Sequence, residues 1–210
     1  MTNEQASYYL QQMNIQSWVL RQSSASLSEL DTVAKQVANC ERCALSKSRT
    51  QTVFARGHQN ASLMVIGEAP GFEEDKQGLP FVGPAGSLLS KMLASVEISS
   101  EDVFMTNVLK CKPPSNRAPS SEEVRLCSSY LKQQIAIVAP TVILAVGHLA
   151  AQYLLEDDMS LDTMREKRHF YEGIPLLVTY HPASLLRNQK DKKKAYVDLM
   201  RVKKQLLDAS

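Results

Sequence analysis

The sequence predicts a single α/β domain built on a mainly parallel sheet, and three observations carry that expectation. Short apolar segments of strand length alternate with segments of helical period between residues 62 and 180, an order that favours parallel strands joined by helical crossovers. Polar or glycine-containing turns follow each apolar segment directly, and open α/β sheets bind ligands beyond the C-terminal ends of their strands. The length, 210 residues with 44% hydrophobic and 22% charged residues, suits one domain able to bury a real core.

In chain order, residues 1–26 are polar with Tyr8, Tyr9, Leu10, Met13, Ile15, Trp18 and Leu20 scattered through them, and they end in a loop-like RQSSAS. They are expected to be an N-terminal extension, with the main domain spanning 27–210. Leu27, Leu30, Val33, Ala34 and Val37 recur at helical spacing and predict a helix running into Cys40-Glu41-Arg42-Cys43. Ser62 to Ile66 is the first predicted strand, Pro84 to Ala94 a helix, and Val103 to Val108 the second strand. Ser120 and Glu123 form a capping-box pattern that opens a helix through Val124, Leu131 and Ile135. Val142 to Val146 is the third strand, a short helix follows around Ala150, and Ile174 to Tyr180 is the fourth strand.

Charge says little in bulk. The formal balance is only +2, which neither demands nor excludes a nucleic-acid partner. Basic residues gather after His181, from Arg187 through Lys204, against Asp191, Asp198 and Asp208; a solvated helix face explains them as well as a DNA-binding face does. No basic segment followed by an apolar run opens the chain, and no apolar stretch is long enough for a bilayer, so a cytoplasmic protein without membrane contact is expected. In a reducing compartment four cysteines favour metal binding, catalysis or core packing over disulfides.

The strand ends collect the chemistry. Gly67-Glu68-Ala69-Pro70-Gly71 is a turn whose backbone can approach a ligand closely and which fixes the direction of Glu68. It continues into Phe72-Glu73-Glu74-Asp75 and a glycine-rich stretch, 78–86, that carries Phe81. A phosphate-cradling loop would need a Walker or G-x-G-x-x-G pattern, and neither is present. Asn107 stands at the end of the second strand, and its amide, both donor and acceptor, suits a flat polar edge such as a base. Lys110, Lys112 and Arg117 follow as cations suited to phosphates or, equally, to an ordinary exposed loop. Gly147-His148 ends the third strand, with His148 expected to be structural. His181 ends the fourth, and Leu185 or Leu186 behind it suits either a wedge in a duplex or helix packing. Cys40 and Cys43 have ligand-like spacing, and Cys111 and Cys127 bring the set to four, a sulfur tetrahedron that suits zinc and iron alike.

In combination, the blocks 67–86, 106–119 with the trailing Cys127, and 180–187 occur in an order and spacing that resembles family-four uracil-DNA glycosylases, from Cys40 to Arg187. The resemblance implies a four-stranded parallel sheet flanked by helices and a 4Fe-4S cluster on Cys40, Cys43, Cys111 and Cys127. It makes 27–210 the catalytic domain of a monofunctional DNA-repair hydrolase that removes uracil from single- or double-stranded DNA and leaves an abasic site. Glu68, Asn107 and His181 are the implied catalytic residues. Gly67, Glu68, Ala69, Gly71, Phe72, Glu74, Phe81, Asn107 and His181 are the implied substrate contacts, with Phe81 stacking on the flipped base and a wall near Glu74 or Phe72 excluding a 5-methyl group. Lys110, Lys112, Arg117, Leu185 and Arg187 are the implied DNA contacts. A monomer is expected, with residues 1–26 available to a repair or replication protein. Two departures stand out: Ala183-Ser184 inverts the usual pair, and Glu166-Lys167-Arg168 replaces a glycine-containing stretch. Arg165 to His169 is faintly similar to the arginine-rich loop of a sister family that becomes covalently trapped on uracil DNA, but turnover is the expectation here. Another class, a non-catalytic nucleic-acid-binding protein with this fold, would differ in forming no product.

Overall fold

The computed structural model describes residues 24–209. The expected extension, 1–26, therefore lies outside the described residues apart from its last three, which open the first helix. Six strands form one sheet in the order β1-β3-β2-β4-β6-β5, where β1 is Arg56–Gly57, β2 Leu63–Gly67, β3 Val103–Asn107, β4 Val142–Val146, β5 His169–Tyr171 and β6 Ile174–Thr179. The four predicted strands are the parallel centre, β3-β2-β4-β6. The expectation of a four-stranded sheet needs correction, because β1 and β5 add an antiparallel strand at each edge. Two and three residues are too few to show a period of two, and such edges exist only through backbone pairing with a neighbour.

Helices cover both faces. They are α1 Ser24–Ala38, α2 Phe72–Gln77, α3 Pro84–Ala94, α4 Ser121–Val138, α5 His148–Leu155, α6 Leu161–Glu166, α7 Pro182–Arg187 and α8 Lys192–Asp208. The alternation of side chains along each strand divides the core in two. Met64, Ile66, Phe104 and Ile143 pack with Leu30 of α1, Leu131 and Ile135 of α4 and Leu154 of α5. Leu63, Val65, Met105 and Leu144 pack on the other face with Leu89 and Leu93 of α3 and Leu199 and Val202 of α8. Because both faces are covered, β2, β3 and β4 are buried along their whole lengths and read as continuous apolar runs.

The capping box forms as its pattern predicts: Ser120 Oγ accepts from Glu123 N at 3.2 Å, and Glu123 Oε2 accepts from Ser120 N at 2.8 Å. The basic C-terminal run is the amphipathic α8. Ala195, Asp198, Leu199 and Val202 face inward while Lys192, Lys193, Lys194 and Lys204 are exposed. Among the described residues, no helix is long and apolar enough to cross a membrane.

Candidate active site

The chain leaves β2 through α2 and α3 to reach β3 on one side, and leaves β4 through α5 and α6 to reach β6 on the other. The crevice between β2 and β4 is thus the topological switch point, where open parallel sheets bind ligands. A cleft of about 430 Å³ opens there, lined by the turn after β2 (Glu68 to Gly71), by Glu74, Phe81 and Asn107, and by His181 with the start of α7. Separate strand ends converge because all four central strands point the same way.

Asn107 ends β3 opposite Gly67 at the end of β2, and its side chain is buried. The approach is close: a Cβ at Gly67 would fall 2.4 Å from Asn107 Oδ1 and 2.7 Å from Phe81 Cζ. The missing side chain of Gly67 is what lets an amide and an aromatic ring share this floor. Phe81 is itself buried and holds a left-handed backbone, φ 55, a conformation that is uncommon for a bulky residue and gathers at functional sites.

Behind Asn107 sits Lys110, only 1% exposed. Its Nζ donates at 2.6 Å to each of three acceptors: Thr106 Oγ1, the Asn107 carbonyl and Gln134 Oε1. Burial pushes its pKa down to about 7, opposed mainly by the negative charge available at Cys127 and Cys111. Three acceptors around one nitrogen require three N–H donors, so the site holds the ammonium form. The expectation that Lys110 meets DNA phosphates is therefore corrected, since its charge points into the fold. Lys112 is half-buried and outside the cleft. Arg117 lies at the cleft and forks onto Glu123 at 2.6 and 2.8 Å, and the exposed Arg187 lies there too.

His181 caps α7. Its Nδ1 accepts from Ala183 N at 3.2 Å, which places the proton of the neutral ring on Nε2. Burial pushes the imidazole pKa down, with Arg187 adding to the shift. Burial also pushes the Glu68 carboxyl up. Gly147, at the end of β4, has φ +99, and its bare Cα lets the His181 side chain pack against it. The peptide leading to His181 is anchored from below. Thr179 Oγ1 donates to Asp198 Oδ2 at 2.9 Å, while Arg165 binds both oxygens of Asp198 at 2.7 and 2.9 Å and stacks 4.4 Å from the Tyr180 ring centroid. Arg165 is thus a buried brace for the strand end, quite unlike a loop arginine that reaches DNA.

Two further expectations change. Leu185 is 1% exposed and packs with Tyr180 and Ala195, so it is not a wedge; Leu186, at 44% exposure, is the leucine that α7 presents outward. Phe72 is 56% exposed with the Lys76 ammonium over its ring, and it stands outside the cleft wall. Glu74 does line the cleft, where its Oε2 accepts from Gly71 N at 3.0 Å and stiffens the turn. Thr106, Gln134, Gly147 and the Arg165–Asp198 pair escaped the sequence reading. Only the position of Gly147 after an apolar strand hinted at any of them.

The four cysteines come from three places: Cys40 and Cys43 after α1, Cys111 after β3, and Cys127 within α4. All four line one cavity, together with Arg49, Lys110 and Tyr130. Among the described residues, no group of three or more histidine, cysteine or acidic side chains stands close enough to hold a metal ion. Arg49 Nη1 donates to Cys111 Sγ at 3.2 Å, and the Lys110 amide donates to Cys127 Sγ at 3.4 Å. Burial pushes the Cys127 thiol up to about 11 and raises that of Cys111.

Comparison with known proteins agrees with this architecture. Residues 54–201 match the family described as the uracil DNA glycosylase superfamily. A type-4 uracil-DNA glycosylase of Saccharolobus solfataricus is 40% identical over 189 residues, covering 86% of this chain and 88% of its own. One from Archaeoglobus fulgidus is 41% identical over 168 residues, 76% of this chain and 84% of its own. A type-5 uracil-DNA glycosylase of Pyrobaculum aerophilum is more distant, 29% identical over 189 residues.

Proposed function

The chain belongs to the type-4 uracil-DNA glycosylases of the uracil-DNA glycosylase superfamily, and from that premise we propose that it hydrolyses the N-glycosidic bond of uracil in DNA, releasing free uracil and leaving an abasic site for base excision repair. The observation that carries the reading is the convergence of Glu68, Phe81, Asn107 and His181 on one cleft at the switch point.

The base must leave the stack to enter such a cleft, at a cost of about a few kcal/mol that a fitted pocket returns. Phe81 stacks on the flipped ring. Asn107 donates to O4 and accepts from N3–H, a pairing that cytosine, with its 4-amino donor, cannot match. The wall at Gly71 and Glu74 excludes a 5-methyl group, and with it thymine. As the bond breaks, negative charge grows on the base, and the Nε2–H of a neutral His181 donates to O2, where that charge accumulates. Donors aimed at charge that develops only in the transition state are usually the largest catalytic contribution. Glu68 orients the water that meets the cationic sugar. Arg117 and Arg187 hold phosphates at the cleft mouth, and Lys112 adds charge nearby. Leu186 enters the space that the base vacates.

Cys40, Cys43, Cys111 and Cys127 hold a 4Fe-4S cluster. Four thiols spread around one cavity, with N–H donors aimed at two of the sulfurs, suit a many-atom centre better than a single ion. The cluster ties α1, the loop after β3 and α4 together; hydrolysis moves no electrons and needs none from it.

The test is base release from a uracil-containing oligonucleotide, single- and double-stranded, followed by alkaline cleavage at the abasic site. Strand cleavage that depends on uracil and on catalytic turnover is expected. A stoichiometric adduct, or binding without free uracil, would overturn the assignment. The purified protein should contain about four irons per chain and absorb broadly near ~400 nm. Active, colourless, iron-free protein would remove the cluster from the account.

A further inference from the structure

We propose that Lys110 is a positioning residue whose buried charge holds Asn107 and stabilises the negative charge that builds on the departing base. This rests on the glycosylase reading above.

The geometry is specific. Nζ reaches the carbonyl of Asn107, the residue that faces the base, and also Thr106 Oγ1 and Gln134 Oε1. A second set of bonds fixes those partners in turn: Thr106 Oγ1 donates to the Phe54 carbonyl at 2.7 Å, and Gln134 Nε2 donates to the same oxygen at 3.1 Å. Every acceptor around the ammonium is neutral. Among the described residues, no carboxylate pairs with Lys110. A purely structural lysine at this depth normally has a carboxylate partner, because an unpaired buried charge is costly.

The chemistry of the cleft gives that charge a use. Release of the base creates an anion in a site whose histidine is neutral, with Nδ1 already occupied by Ala183 N. The cleft arginines are exposed at its mouth, where water screens them. Lys110 is the buried cation nearest in structure to Asn107, joined to it through one carbonyl. Fixed in place before the reaction, it needs no reorganisation as charge moves onto the base. It also polarises the Asn107 peptide and locks the strand end from which the amide projects.

The readout that separates this role from simple bracing is leaving-group dependence. 5-Fluorouracil departs as a more stable anion than uracil and relies less on the enzyme to stabilise its charge. Single-turnover release of uracil and of 5-fluorouracil from matched oligonucleotides would be measured for wild type, Lys110→Met and Gln134→Glu. The second variant keeps the shape of its side chain and leaves Lys110 in place, but sets a carboxylate against its ammonium. Both variants are expected to slow uracil release by roughly 10-fold or more and 5-fluorouracil release by a clearly smaller factor. Should Lys110→Met fail to fold or to retain iron, Gln134→Glu carries the comparison alone. Equal losses on the two bases in a folded variant would overturn the proposal, leaving Lys110 a brace. Absence of uracil release by wild type would instead overturn the glycosylase assignment itself.

Discussion

Gly147 and His181 are in direct contact across the switch point: a Cβ on Gly147 would stand 3.0 Å from His181 Cβ and 3.4 Å from its Cδ2, and the glycine holds φ +99. One residue at the end of β4 therefore sets where the imidazole on the next parallel strand can lie. Gly147→Ala should strain the backbone by about 1–2 kcal/mol and push the ring from its place. The expected outcome is a single-turnover rate lowered roughly 10-fold with DNA affinity nearly unchanged. An unaltered rate in folded protein would mean the ring position is not critical.

His181→Ala removes the donor altogether and should lower the single-turnover rate by roughly 10²-fold or more. His58, His148 and His169 should tolerate the same change. His148 Nε2 and His169 Nε2 already lie 2.8 Å from the carbonyls of Met159 and Met164, away from the cleft. Losses of binding and rate in equal measure at His181 would make it a binding residue only.

The pH profile should fall on the acid side. His181 acts as the neutral ring, and its pKa is pushed down by burial; activity is full above that pKa and lost as pH falls through it. Glu68 acts as the carboxylate, with its pKa pushed up by burial, so its protonation also removes activity as pH falls. The acid limb of kcat/KM should therefore lie below the ordinary imidazole range and be steeper than one proton. Glu68→Gln should leave a shallower, single-proton limb. A limb centred above the ordinary imidazole value would contradict the assignment of His181.

Asn107→Asp tests base reading. A carboxylate offers acceptors only, so it opposes O4 of uracil and should cost about 2 kcal/mol or more in uracil excision. Cytosine presents an amino donor at that position, and the uracil-to-cytosine rate ratio should fall. If the ratio holds in folded, iron-loaded protein, Asn107 does not read the base.

The two leucines of α7 should separate cleanly. Leu185→Ala empties a buried site and should destabilise the fold by about 2–5 kcal/mol, read as a lower denaturation midpoint. Leu186→Ala removes an exposed side chain and should leave the midpoint near that of wild type, while slowing excision from duplex more than from single-stranded DNA. The reverse pattern would reassign the wedge.

The sequence by itself determined the four central strands, the helices over 84–94 and 121–138, and the placement of Glu68, Asn107, Gly147 and His181 at strand ends. Each of these rests on local periodicity or on a short spacing that the backbone converts directly into geometry. The motif blocks carried the family resemblance for the same reason, being contiguous in the chain. What only the tertiary structure decided is the direction of individual side chains just beyond those ends. Lys110 and Lys112 read alike as loop cations, yet Lys110 turns inward because Thr106, Gln134 and the Asn107 carbonyl, from two elements far apart in sequence, meet behind β3. Leu185 and Leu186 are identical in kind and adjacent, and the packing of α7 on Tyr180 and Ala195 alone chooses which is buried. The edge strands β1 and β5 exist only because β3 and β6 offer them unpaired backbone. Period and spacing are local properties, whereas burial and charge partnership arise from which distant segments the fold brings into contact.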